Sequence, residues 1–489
     1  IGCAYRVSNT LGAGFLEKVY ENALAHELLK NGLNAEQQYR LEVFYDGVAV
    51  GEYFAVGGAI TQDLGPTVDG AGTRGPTAEI SQTTFRGNAA VATVSDPDSA
   101  GPNAAFAPFA GLAAGGAIGN IAGSLTVTHA TFIGNEAHGG DGDVSDASVL
   151  SQGDGGAAIG GAIAVSDFAA FDTVGLPGRD AEIDVSFTKF VDNGAYGGDA
   201  VGTATGGASA GGAIGFAIMF DESLGFSADA GAVRHSSFNH NVAAGGTGGA
   251  DGGNGGAASG GGIGLRTGAA LEVGHSRFRS NTARGGDALA GGTGGTGLGG
   301  GIAVDVLTTV VPLPIPVESF VSALDVHFSL FQRNRAVGGD GTVGGNGQGG
   351  AIGVAGPIDS VFGQSSAHVS RSLIAFNQAV GGEGTDENGG DGLGGGIYNG
   401  EDSTTTLRRD LIFANLALGG SGGTGEGDDV FSVNDLDLND LGPFFIRGRL
   451  WSPACGNQGL IDRHANVFRT AVKSSRDLRV PVGGRPRCD

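Results

Sequence analysis

Cysteine is nearly absent from this chain of 489 residues: Cys3, Cys455 and Cys488 are the full complement. They sit at the two ends, so no disulfide framework and no zinc-ligand spacing can be built from them. A Cys455–Cys488 bridge has little to support it. Proline is also sparse, at 14 residues, and no G-X-Y period occurs, which excludes collagen. No apolar run reaches the ~18 residues that a membrane-spanning helix needs. Basic residues are few: Lys and Arg total 27 against 51 Asp and Glu, for a net charge of −24. That balance argues against general binding to nucleic acid or to anionic membranes. It fits a soluble secreted or surface protein, or one that binds cations. Met219 is the only methionine and the chain starts at Ile1. We therefore expect the true N-terminus to lie upstream, or the sequence to be an open-ended gene fragment. The lack of a signal peptide then carries no information about export.

What the chain has in quantity is glycine, 98 residues, far above the roughly 7% of average usage. A hydrophobic content of 40% is too high for a disordered tract. Together they predict short strands joined by many tight turns.

Residues 1–55 stand apart. Phe15, Leu16, Val19, Tyr20, Ala23, Leu24 and Leu28 recur at helical spacing, predicting an amphipathic helix over 15–31 that Gly32 stops. Two short strands follow, with the hairpin signal Asp46-Gly47 between them. The run Gly14-Phe15-Leu16-Glu17-Lys18-Val19-Tyr20, with its surroundings, resembles the start of the GxxExxY family, whose motif residues stand here as Gly14, Glu17 and Tyr20. The family is similar to PD-(D/E)XK nucleases. That resemblance implies a divalent cation held by an Asp and a Glu-x-Lys pair, with Lys acting on the attacking water. Here Val56 stands where the Asp is expected, and no equivalent Glu-x-Lys follows. The reading is a truncated helix-plus-hairpin remnant that caps the next domain, or a joined gene, rather than an active nuclease.

Two motifs then alternate. Gly-Gly-Ala-Ile or a Gly variant ends at Ile60, Ile118, Ile163, Ile214, Ile263, Ile302, Ile352 and Ile397. An apolar residue three positions before an Asn recurs at Asn88, Asn135, Asn193, Asn241, Asn281, Asn334, Asn377 and Asn415. Strand-like stretches precede each Asn; Leu125 and Val127, or Ile183 and Val185, point one way and their polar neighbours the other. This predicts a parallel β-helix in which Ile, Val and Phe stack inside. The spacing varies mainly in the Gly-rich connectors. Each Asn is expected in the left-handed region at a corner, its side chain joined to those above and below in an amide ladder. The paired motifs resemble passenger regions of polymorphic outer membrane proteins and autotransporter-type adhesins. That resemblance implies a right-handed β-helix, export, and a role at the cell surface. Those families end in an outer-membrane β-barrel that this sequence lacks.

Six residues beyond the Asn lies an acidic row: Asp141, Asp199, Asp287, Asp340 and Glu383, interrupted by Thr247 and Ser421. With Asp143, Asp251 and Asp391 it is read first as a solvated acidic edge, and alternatively as a weak calcium site. His129, His235, His275, His327 and His368 recur before the corner; a tolerant strand position is favoured over a metal row. Arginine is scarce in the repeats and no carboxylate pair announces glycosidase chemistry. The Gly-rich runs lack the Lys-Ser/Thr of a phosphate loop.

The expected architecture is thus all-β: a right-handed parallel β-helix over 56–440, a short α/β segment over 1–55, and a basic non-repeat tail over 441–489. The expected function is a non-catalytic extracellular or cell-surface module, adhesin-like or structural, with a cell-surface glycan or protein as partner and no nucleic acid. The alternatives are a nuclease-like protein or a β-helix polysaccharide lyase or hydrolase.

Overall fold

Alternation decides which way each strand faces, and eight near-identical alternations in a row decide the architecture. A computed structural model describes residues 77–433, except 93, 96–110, 122, 143–152, 169–180, 220–229, 267, 306–320 and 357–363. It also describes Lys30, 44–45, 48–49, 55–56, 59–62, 445–447 and 450–451. Two units are distinguished, Ile1–Glu52 and Tyr53–Asp489. In the first, Phe44–Tyr45 and Val48–Ala49 pair antiparallel, on either side of Asp46-Gly47 in the sequence. Lys30 is helical. The rest of the expected helix, with Gly14, Glu17 and Tyr20, lies outside the described residues.

The second unit is an all-β parallel β-helix. One coil runs through Ile163–Phe168, Glu182–Ser186, Lys189–Val191, Gly194–Tyr196 and Ser209–Ala210. Each of these strands pairs in parallel with its counterpart in the next coil, and none of the five resulting sheets is out of sequence order. We call them the Ile, long, Phe, Ala and return sheets. The Ile sheet has ten strands, from Ile60–Gln62 to Leu450–Trp451, and the Phe sheet nine, ending at Phe445–Arg447. The stack therefore reaches Trp451, inside the segment that composition sets apart as a tail.

The core lies between the Ile, long and Phe sheets. Ile118, Ile163, Ile214, Ile263, Ile302, Ile352 and Ile397 are in register and fully buried. Val127, Val185, Val233, Val273, Val326 and Val369 make the matching row in the long sheet. Phe85, Phe132, Phe190, Phe238, Phe278 and Phe331 stack with ring centroids 4.6–4.9 Å apart and planes within 8°. Ile374 and Ile412 continue that column. Burying each such side chain contributes about 1.5–3 kcal/mol, so the stack is stabilised coil by coil. One position breaks the pattern and is repaired locally. Gly231 sits where neighbouring coils carry Ile183 and Leu271, and the Phe216 ring fills that space from the Ile sheet.

Elsewhere the coil is too thin for side chains. The Ala sheet packs Ala137, Ala195, Ala243 and Ala283 against the return strands. Beyond it two glycine columns face each other. Gly198, Gly246, Gly286, Gly339 and Gly382 form one; Gly207, Gly256, Gly295 and Gly345 form the other. Their amides bond in a zigzag: Gly246 N–H to Gly207 O, Gly256 to Gly246, Gly286 to Gly256, Gly295 to Gly286, all 2.8–2.9 Å. A Cβ on Gly286 would lie 1.9 Å from the Gly246 oxygen. Glycine is abundant because backbone meets backbone here, satisfying its own polar groups with no room for anything else.

The corners differ from expectation in one respect. The left-handed residue is not the Asn but the one before it: Asp192 (φ 54), His240 (φ 55), Ser280 (φ 54), Arg333 (φ 55) and their equivalents. The Asn side chain turns inward to bond, and the preceding residue, exposed or half-buried, takes the turn. A second left-handed corner, between the long and Phe sheets, carries His129, Phe187, His235, His275, Phe328, Arg371 and Arg409. A further difference concerns length variation. Residues 169–180, 220–229, 306–320 and 357–363 fall between the Ile and long strands, so the Gly-rich return is not the only variable connection.

Candidate functional site

The inner polar seam is the asparagine row. Each Asn donates from Nδ2 to the Oδ1 of the next: Asn88 to Asn135 at 2.7 Å, then on through Asn193, Asn241, Asn281, Asn334 and Asn377 to Asn415 at 2.8–2.9 Å. The accepting oxygen also takes the backbone N–H of the previous Asn, as at Asn135 to Asn193, 3.0 Å. Asp429 ends the row by accepting from Asn415. A second seam lies at the other corner. Thr188, Ser236, Ser276, Ser329 and Ser372 each accept an N–H from the coil before and donate to their own chain two residues back. Asp410 closes it, accepting from Ser372 and Arg408 N–H groups. Burial pushes its carboxyl up to about 6. This seam escaped the sequence reading, although a Ser or Thr two residues before the inward Phe or Ile recurs at Thr188, Ser236, Ser276, Ser329 and Ser372.

The acidic row is structural in form. Asp141 accepts the Asp199 N–H (2.9 Å), Asp199 that of Thr247 (2.7 Å), Asp287 that of Asp340 (3.0 Å) and Asp340 that of Glu383 (2.8 Å). Glu383 accepts from both the N–H and the hydroxyl of Ser421, which hold its carboxyl below the ordinary value. Each carboxylate thus caps the amide of the following coil, and Thr247 and Ser421 stand in the row as donors to the carboxylate before them. Asp391 does the same for Thr424. A parallel set missed by the sequence reading uses Asp154 for Thr205 and Asn254 for Thr293. Burial raises the Asp154 carboxyl, with the Thr205 amide opposing it. Among the described residues, no three His, Cys, Asp or Glu side chains gather as a metal site. Asp143 lies outside the described residues.

The histidines do not share one position. His129, His235 and His275 occupy the exposed second corner, where they stack with Phe187 and Phe328 at centroid distances of 4.9–5.0 Å. His327 aligns instead with Gly274 and Ser370, and His368 with Asp325. The corner column ends with the Arg371 guanidinium 5.2 Å over the Phe328 ring. Phe187 is 52% and Phe328 47% exposed.

The Phe sheet turns its outward face between this column and the asparagine corner. Arg277 and Arg279 flank the inward Phe278 on one strand, and both are exposed. Arg333 stands at the next corner, and Arg371 and Arg409 follow in the ring column. Arginine is scarce in the repeats, and the coils bring five of these residues, Arg277, Arg279, Arg333, Arg371 and Arg409, onto one face.

Residues 1–62 match the family model of the PD-(D/E)XK nuclease superfamily. No curated protein and no solved structure matches the chain. Within the matched stretch, Ala55–Val56 and Ile60–Gln62 are strands of the return and Ile sheets. No helix among the described residues is long and apolar enough to cross a membrane.

Proposed function

We propose that the protein is a non-catalytic β-helix module, adhesin-like or structural, that works outside the cell by presenting its repeated surface to a partner. The observation that carries this reading is the ring column His129–Phe187–His235–His275–Phe328, an ordered exposed feature that no contact within the coil requires. Supporting it, the carboxylates of the acidic row are occupied as amide acceptors, a scaffold use rather than a chemical one. A calcium ion on that row remains the companion proposal; millimolar calcium would then raise the melting temperature.

A second reading, a metal-dependent nuclease, draws on the family match over residues 1–62. The missing Asp after Ala55 and the absence of an equivalent Glu-x-Lys weigh against it. One experiment separates the two. The purified chain is offered plasmid DNA with magnesium or manganese, and in parallel whole cells and immobilised glycans. We expect binding to surfaces without turnover. Metal-dependent nicking of the plasmid, abolished by chelation, sinks the binding-module reading.

A further inference from the structure

We infer that the outward face of the Phe sheet, over the coils from His275 to Ala414, binds a linear acidic polysaccharide. This rests on the reading of the protein as a surface-binding module and names the chemistry of its ligand. Four spans form the face: 275–280, 328–333, 371–376 and 409–414. They hold Arg277, Arg279, Arg333, Arg371 and Arg409, all exposed, over three coil steps or about 15 Å at the strand spacing. The one carboxylate within them, Asp410, is buried and accepts two backbone amides.

In a chain of net charge −24 this concentration of cations is local and uncompensated. Arg234 is 2.5 Å from Glu272, Arg284 is 2.9 Å from Asp287, and Arg266 is 3.5 Å from Asp305, but all three lie off the face. Among the described residues, none of the face arginines has a carboxylate within 4.0 Å. Of the carboxylates around the face, Glu272 also meets His327 and Asp287 caps Asp340, while Asp325 stands exposed on the long sheet with no ion pair to a face arginine. Cations that evade a large excess of carboxylates point to an anionic partner.

The rings beside them narrow its class. His275 and Phe328 stack with their planes 17° apart, so their faces cover each other and only edges reach solvent. Ring edges carry the positive end of the quadrupole and reinforce the arginines. Single-stranded nucleic acid takes much of its affinity from bases stacked on open aromatic faces; the interior rings of this column offer none, and the exposed Phe376, in edge contact with Phe413, is a single ring rather than a stacking platform. Duplex nucleic acid carries a charge every ~1.7 Å, which the net negative protein repels beyond the face. A polyuronate carries one carboxylate per sugar, a sparser charge that separated guanidinium groups can fork onto.

The test uses the intact chain and labelled polygalacturonate oligomers, with neutral dextran and single-stranded DNA of matched length as comparisons. Binding is expected at low ionic strength and is expected to fall steeply by about 0.5 M salt. Arg277→Gln with Arg279→Gln should weaken it about tenfold, which is 1.4 kcal/mol. The charge-matched pair Arg234→Gln with Arg284→Gln should leave it within about twofold. Unchanged melting temperatures in both pairs exclude unfolding. Equal losses in the two pairs, no retention of polygalacturonate, or tighter binding of the DNA overturns the inference. If the chain still binds cells without turnover while polygalacturonate is ignored, the acidic-glycan face falls and the binding-module reading stands.

Discussion

Asn281 donates from Nδ2 to Oδ1 of Asn334 at 2.9 Å, and its own backbone N–H reaches the same oxygen at 3.1 Å. Its second amide hydrogen goes to the Phe238 carbonyl at 3.0 Å, and its Oδ1 accepts from Asn241. Every polar atom of that buried side chain is spoken for, and two of its neighbours are acceptors. Asn281→Asp therefore sets a carboxylate oxygen against two oxygens in a dry seam. We expect a loss of about 3 kcal/mol or more at neutral pH. The deficit should shrink in acid, where a protonated carboxyl restores one donor. Thermal unfolding at pH 7 and pH 4 reads both; equal melting temperatures for variant and parent at pH 7 contradict the seam.

Glycine columns make a contrasting pair of substitutions. Gly286→Ala places a methyl 1.9 Å from the Gly246 oxygen, and backbone on both sides has nowhere to go. We expect about 3 kcal/mol or more of destabilisation. Gly134→Ala meets nothing within 4 Å and costs only the left-handed backbone (φ +58), about 1 kcal/mol. Asp192 and His240 hold the same corner in later coils, so the chain already tolerates a side chain there. Denaturant midpoints of the two variants give the order directly.

Asp410 gives the protein a pH dependence of known sign. Burial raises its carboxyl from 3.8 to about 6, so the folded state holds the proton more tightly than the unfolded one. Its contribution is fully present below pH ~4 and is lost as pH rises through about 6, a change of roughly 3 kcal/mol. Asp410→Ser extends the hydroxyl seam formed by Ser236, Ser276, Ser329 and Ser372. It should flatten stability between pH 4 and 6 relative to the parent, as urea midpoints across that range will report.

The coil was legible because its signals repeat at buried positions. Ile, Val and Phe occur at fixed offsets from Asn, and a buried row tolerates few alternatives. The corner geometry was not legible. Asp192, His240, Ser280, Arg333, Phe376 and Ala414 share a left-handed backbone but no chemistry, because the neighbouring coils impose that conformation. The histidines misled for a related reason. His327 lies one residue from the ring column and His368 lies in another register, differences that only strand pairing resolves. The arginine face was hidden by distance: Arg277 and Arg409 are far apart in sequence and come onto one face only through stacking. What the glycines do also needs the fold, since a run such as Gly245-Gly246 reads as loop until two backbones are seen to touch.

The paired glycine columns have a consequence for how the chain finds its alignment. One stretch of bare backbone there is interchangeable with another, so a slip by an entire turn meets no local objection. Correct threading must be dictated where the coils differ, as at Gly231 beside the Phe216 ring and at Asp410 and Asp429, which end the two polar seams. The same indifference would let a turn be duplicated or deleted with that edge resealing unchanged, so the number of turns is free to drift over generations while the cross-section of each stays constant.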